Sequence, residues 1–154
     1  MAQINPHILF KGNTEEAFGF YKSVFGGEYS RLMRVKDLPQ DPNHPIPESE
    51  ANKIVFIALS IGKSNSLIGS DVAKQFMNQE LVTGNRYTIS ISAENKEEAF
   101  KLFNGLSVGG EIEMPIEESF GGNYFGMFAD KYGIQWMFEV SSKYLVDSCF
   151  VIFF

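Results

Sequence analysis

Apolar positions along the chain switch between helix spacing and strand spacing in an order that occurs twice. Asn13-Thr14-Glu15-Glu16-Ala17-Phe18, followed by Tyr21, Val24, Phe25 and Gly26-Gly27-Glu28, returns as Asn95-Lys96-Glu97-Glu98-Ala99-Phe100, then Leu102, Phe103, Leu106 and Gly109-Gly110-Glu111. The two copies lie 82 positions apart at the asparagines and 83 apart at the Gly-Gly-Glu runs. Steps of three and four between apolar residues predict an amphipathic helix in each copy. Asn13 and Asn95 are N-cap candidates, with Glu16 and Glu98 placed to reach back to the cap amide. The glycine pairs supply a left-handed stop.

Strand patterns surround both helices. Ile4 to Phe10 runs into the first, and Glu28 to Val35 leaves it. Lys36 to Asn52 carries Pro39, Pro42, Pro45 and Pro47 and reads as a long loop. Lys53 to Ser60 is β-branched and nearly all apolar, and Leu67 to Gly69 forms a short partner. In the second half Arg86 to Ser92 alternates with period two, and Glu111 to Met114 follows the helix. A loop then passes through Pro115 and Gly121-Gly122, before a hairpin of Tyr124 to Ala129 and Ile134 to Val140 around Asp130-Lys131-Tyr132-Gly133. The expectation is an α+β fold of two βαβββ modules, spanning 4–70 and 86–140, whose curved mixed sheets are backed by helices and form a cup. Both lie in one domain, 1–143, with a connector over 71–85 and a helical turn around Ala73 to Met77. Neither module can cover both faces of its small sheet alone.

Composition narrows the function classes. A net charge of −6 excludes an ordinary nucleic-acid binder, which needs a basic surface. One Cys excludes an internal disulfide framework and fits a reducing compartment. No run reaches membrane-spanning length and no charged-then-apolar leader opens the sequence, so a cytoplasmic protein is expected. Fifteen Phe predict an aromatic core or pocket. The tail 144–154 ends in the apolar run Phe150 to Phe154, expected to pack on the domain or on a dimer partner, and Cys149 within it reads as an inert thiol.

Three pieces carry a family resemblance: Phe20-Tyr21 before Val24-Phe25-Gly26-Gly27-Glu28, then Leu67-Ile68-Gly69-Ser70-Asp71, then Phe125 through Asp130-Lys131-Tyr132-Gly133-Ile134-Gln135-Trp136-Met137. In this order they resemble the glyoxalase/bleomycin-resistance/dioxygenase (vicinal oxygen chelate) superfamily, most of all its PhnB-like, 3-demethylubiquinone methyltransferase-like branch. The resemblance covers about Ile4 to Val140. It implies paired βαβββ modules, commonly a homodimer, and a divalent metal held by His and Glu from four strands.

Carried onto this sequence, the implied ligand positions fall on Pro6, on Leu67 or Ile68, on Thr88 and on Met137, none a useful ligand for a hard or borderline cation. With two His in the whole chain, no cofactor is expected and a divalent metal is disfavoured. His7, one place from the implied position, and Glu139 are the weak metal candidates. By the helix alignment His7 faces away from the cup beside Leu9. His44 reads as an exposed loop residue. Ser70 and Ser119 lack a recognisable His partner, so a Ser-His-Asp hydrolase is not expected. No methyl-donor motif supports methyl transfer.

Strand parity places Ile8 and Phe10 opposite Thr88 and Ser90 in the cup, with Phe56, Phe125, Met127 and Met137 completing an apolar, aromatic lining. Trp136 has the opposite parity and is expected under the helices. Such a lining suits a small hydrophobic or aromatic molecule. The reading favoured on sequence is a metal-independent binder of such a molecule, sequestration as in bleomycin-resistance relatives being one form. The alternatives are a metal-dependent lyase, isomerase or dioxygenase with atypical ligands, and a dimeric interaction module with a filled cup.

Overall fold

The structure, a computed structural model, describes residues 3–73, 80–119 and 122–140. The chain divides into two compact units, Met1–Thr83 and Gly84–Phe154. The first contains β1 (His7–Phe10), α1 (Thr14–Phe25), β2 (Glu28–Arg34), a 3-10 turn (Val35–Asp37), α2 (Glu48–Ala51), β3 (Ile54–Ile61) and β4 (Asn65–Asp71). Its strands are ordered β1-β4-β3-β2, with β1 parallel to β4 and the other pairs antiparallel. The second contains β5 (Ile89–Ser92), α3 (Lys96–Leu106), β6 (Glu111–Glu118), β7 (Tyr124–Ala129) and β8 (Gln135–Val140). Its order is β5-β8-β7-β6, with β5 parallel to β8. Each unit is therefore a strand, a helix and three further strands in one mixed sheet, and neither sheet closes on itself.

In the first unit α1 buries Thr14, Ala17, Phe18 and Tyr21 on one face. Phe18 meets Phe10 edge-on at 6.3 Å and Tyr21 at 5.7 Å. Gly69 lets α1 approach β4 closely, because a Cβ there would lie 2.3 Å from Cε2 of Phe18. In the second unit α3 buries Ala99, Phe103 and Leu106, and Phe103 stands edge-on to Phe128 at 4.9 Å and Phe138 at 5.8 Å. Gly126 makes the matching allowance, with Cε2 of Phe103 2.8 Å from where a Cβ would be.

The two helices begin differently. Asn95 accepts the Glu98 amide at 2.9 Å, while the Glu98 carboxylate reaches the Glu94 amide rather than that of Asn95. Asn13, expected to cap α1 in the same way, makes no side-chain cap bond. Asp71, from the end of β4, takes that role. Its Oδ1 accepts the Thr14 amide at 3.1 Å and the Thr14 hydroxyl at 2.6 Å, and its Oδ2 accepts the Ile54 amide at 2.8 Å. A buried carboxylate from a distant strand thus joins helix, strand and strand, which no local pattern announces.

Other boundaries shift for physical reasons. The proline loop holds the one-turn α2, started by the Pro47 carbonyl, which accepts the Glu50 and Ala51 amides. Strand β6 runs through Pro115 to Glu118 instead of stopping at Met114. It is an edge strand with irregular register between Met114 and Glu117, where a residue lacking an N–H is tolerated. Most of the helical turn expected around Ala73 to Met77, and the whole tail 144–154, lie outside the described residues.

The repeat also breaks by one residue between first strand and helix. Phe10 and Ile91 both belong to the helix-facing side of their sheets, through the pairs Phe10–Asp71 and Ile91–Phe138. Phe10 stands three residues before Asn13, whereas Ile91 stands four before Asn95. The strands are therefore offset by 81 positions and the helices by 82, and a one-residue slip in a strand exchanges its two faces.

Candidate functional site

That slip corrects the expected lining. Phe10, 4% exposed, packs on Phe18, and Ile8 pairs with Gly69 on the same helix side, so neither lies on the face turned away from α1. His7 and Leu9 do, through the pairs His7–Ile68 and Leu9–Ser70. His7, not Pro6, is the first-strand counterpart of Thr88.

On this face of the first unit His7, Ser70, Phe56 and Arg31 come together. His7 Nε2 is 2.8 Å from Ser70 Oγ, and Ser70 Oγ donates to the Val55 carbonyl at 2.7 Å. The serine's single proton is thereby engaged, so its oxygen accepts from Nε2–H of His7. The His7 ring stands edge-on to Phe56 with centroids 6.4 Å apart. The Arg31 guanidinium lies over the Phe56 ring at 5.3 Å from its centroid. Burial lowers the His7 pKa from its ordinary 6.5, since the charged ring loses water. Ser70 thus has a histidine partner that the sequence pattern did not reveal, because 63 residues separate them. Its proton points to a backbone carbonyl, however, and among the described residues no carboxylate orients the ring, so the pair is not built as a nucleophile and base.

In the second unit the face turned away from α3 carries Ser90 beside Met137, Met137 beside Met127, and Phe125 beside Glu139. Phe125, Met127 and Met137 are half-buried, and Ser90 is exposed. Thr88, exposed, stands two residues ahead of Ser90 at the entry to β5. Glu139 shares this face and accepts the Ser92 hydroxyl at 2.6 Å. Met114, opposite Met127, joins them and was missed because β6 was expected to end there. Trp136 is buried on the helix side and donates to Asp130 at 2.9 Å. The same carboxylate accepts the Tyr132 and Ile134 amides, closing the hairpin. The Asp130-to-Trp136 motif is thus an architectural device. His44 Nδ1 is 2.8 Å from Asp41 Oδ2 in the exposed proline loop, and that contact lowers the Asp41 pKa.

The fit to a metal follows from these placements. Leu9 pairs with Ser70 as Ser90 pairs with Met137, so the strand counterparts of the implied ligand positions are His7, Ser70 in place of Leu67 or Ile68, Thr88 and Met137: one imidazole, two hydroxyls and a thioether. That set does not suit a divalent cation. Among the described residues no group of three or more His, Cys, Asp or Glu could hold one.

The family model of 3-demethylubiquinone-9 3-methyltransferase matches residues 2–138. The chain belongs to this family, and it shares its fold with solved glyoxalase/bleomycin resistance/dioxygenase proteins. It is 27% identical to protein YjdN of Escherichia coli (strain K12) over 142 residues, 89% of this chain and 94% of that protein. Protein PA1353 from Pseudomonas aeruginosa superposes with a TM-score of 0.75 at 32% identity, covering 92% of this chain and 98% of its own. A PhnB protein from Bacillus cereus gives a TM-score of 0.69 at 24% identity, over 91% of this chain and all of its own, 100%. A glyoxalase/bleomycin resistance protein/dioxygenase family enzyme from Burkholderia phytofirmans PsJN gives 0.53 at 15% identity, over 87% and 94%, and so shares the fold alone. No helix among the described residues is long and apolar enough to cross a membrane.

Proposed function

We propose that this PhnB-like protein binds a small hydrophobic or aromatic molecule without a metal, on the faces of its sheets turned away from the helices. The observation that carries this reading is the residue set His7, Ser70, Thr88 and Met137 at the strand positions where the superfamily implies cation ligands. Each unit's own face adds apolar side chains, Phe56 in the first and Phe125, Met127 and Met114 in the second, which favour an apolar or planar ligand over an ion. The family description names a methyl transfer, and we carry no such step over, since the sequence holds no methyl-donor motif.

A second reading, a metal-dependent lyase, isomerase or dioxygenase with atypical ligands, draws on one observation: His7 stands at the first-strand position after all. A single imidazole whose Nε2–H is committed to Ser70 offers only Nδ1, which argues against it. Metal analysis and a thermal-shift panel of planar hydrophobic compounds decide between them. The expected result is no stoichiometric divalent ion, an unchanged melting temperature in chelator, and a rise with at least one compound. One retained equivalent of divalent metal, or loss of stability in chelator, would refute the binder reading in favour of the second.

A further inference from the structure

We propose that the first unit's face takes a planar aromatic carboxylate bearing an adjacent N–H or O–H, with its carboxylate on Arg31 and its donor on Nδ1 of His7, beside Phe56. This rests on the binder reading above and narrows it to one ligand class.

Arg31 combines a ring contact with the absence of an ion pair among the described residues. The chain has 19 acidic against 13 basic residues, and neighbouring cations find acids: Lys22 with Glu28, Arg34 with Glu15, Lys53 with Glu50. Among the described residues Arg31 is exposed and makes no ion pair; its guanidinium rests on Phe56 instead. An arginine held over an aromatic ring in an acidic protein has its planar donor fork oriented and unspent, ready for a carboxylate. His7 is the complementary pole. Ser70 fixes the tautomer by accepting Nε2–H, which leaves the Nδ1 lone pair as an acceptor. Burial lowers the His7 pKa and so favours the neutral ring. A neutral acceptor repels a bare anion and takes an N–H or O–H donor. Ile68, opposite His7, and Ala58, opposite both Ile68 and Arg31, supply an apolar floor between the two poles. Anion donor, apolar platform and acceptor together describe a flat molecule with an acid and a donor at neighbouring positions.

Matched probes test this on the isotope-labelled, chelator-treated full chain by NMR titration: indole-2-carboxylate, indole-2-carboxamide and 1-methylindole-2-carboxylate. The carboxylate is expected to bind with shifts centred on His7, Arg31 and Phe56, and both analogues to bind about tenfold more weakly. Arg31→Gln should abolish the preference for carboxylate over carboxamide, and His7→Phe the preference for indole over its N-methyl form. Unchanged melting temperatures of both variants confirm intact folding. Equal binding of carboxylate and carboxamide, or a preference that survives Arg31→Gln, overturns this inference and leaves the binder reading standing. Failure of all three probes also overturns it, and the thermal-shift panel then shows whether the binder reading falls with it.

Discussion

Two aspartates organise the two units, Asp71 by gathering donors from distant elements and Asp130 by gathering donors within its own hairpin. Asp71 accepts from Thr14 twice and from Ile54, while Asp130 accepts from Tyr132, Ile134 and Trp136. Asp71→Asn keeps the volume but replaces an acceptor oxygen with an NH2 group, stranding at least one buried donor. It should cost about 1–3 kcal/mol in urea denaturation. Gly69→Ala would drive a methyl group into Phe18 and should cost a similar amount, about 1–3 kcal/mol, by overpacking. His7 supplies a pH prediction. Its folded pKa is lowered by burial, so the folded chain binds fewer protons there than the unfolded chain. The stability tied to its neutral form is complete above about pH 6.5 and falls as pH drops through the folded pKa. An imidazole C2-proton titration should place the His7 midpoint below 6.5, and a midpoint at or above it would contradict the burial argument.

At the scale of elements, the two helices share a sequence signature and differ in how they are capped. Asn95 is capped from its own side chain, so Asn95→Ala should cost about 1 kcal/mol. Asn13 makes no such bond, and Asn13→Ala should change stability by only a few tenths of that. Urea midpoints of the two variants compare them directly, and equal losses would mean that Asn13 caps in solution. The extra residue between β5 and α3 is the other element-level fact. Helices align on their caps, but the strands ahead of them align one residue away, and period-two elements turn that difference into opposite faces. Ile8 and Phe10 therefore join the helix side, while His7 leaves it.

At the scale of the molecule, each unit has its own aromatic core under its own helix. Central strands β3, β4, β7 and β8 have a partner on both sides within their sheets, and β1, β2, β5 and β6 lie at the edges. Hydrogen exchange should accordingly be slowest in β3, β4, β7 and β8. Protection strongest in the edge strands would point instead to pairing beyond the individual sheets. The resemblance also leads us to propose a homodimer, and light scattering after size exclusion should return twice the chain mass.

Local pattern was enough for much of this. Helical spacing in residues 13–25 and 95–106, β-branched runs and glycine stops are short-range signals, so the repeated order of elements could be read from the chain, and with it the family. The facing of Phe56, Ser90, Phe125, Met127 and Met137 could be read too, because alternation needs only a correct register. Tertiary structure alone decided the rest. Whether His7 or Ile8 faces the helix depends on one residue of loop length, which hydrophobic alternation cannot resolve when both neighbours are apolar or amphipathic. The Asp71 cap and the His7–Ser70 contact join residues 57 and 63 positions apart, and Arg31 reaches Phe56 only across a bulged strand pair. A carboxylate, a hydroxyl or a guanidinium carries no mark in the sequence of which distant group it will meet. Folding supplies the partner.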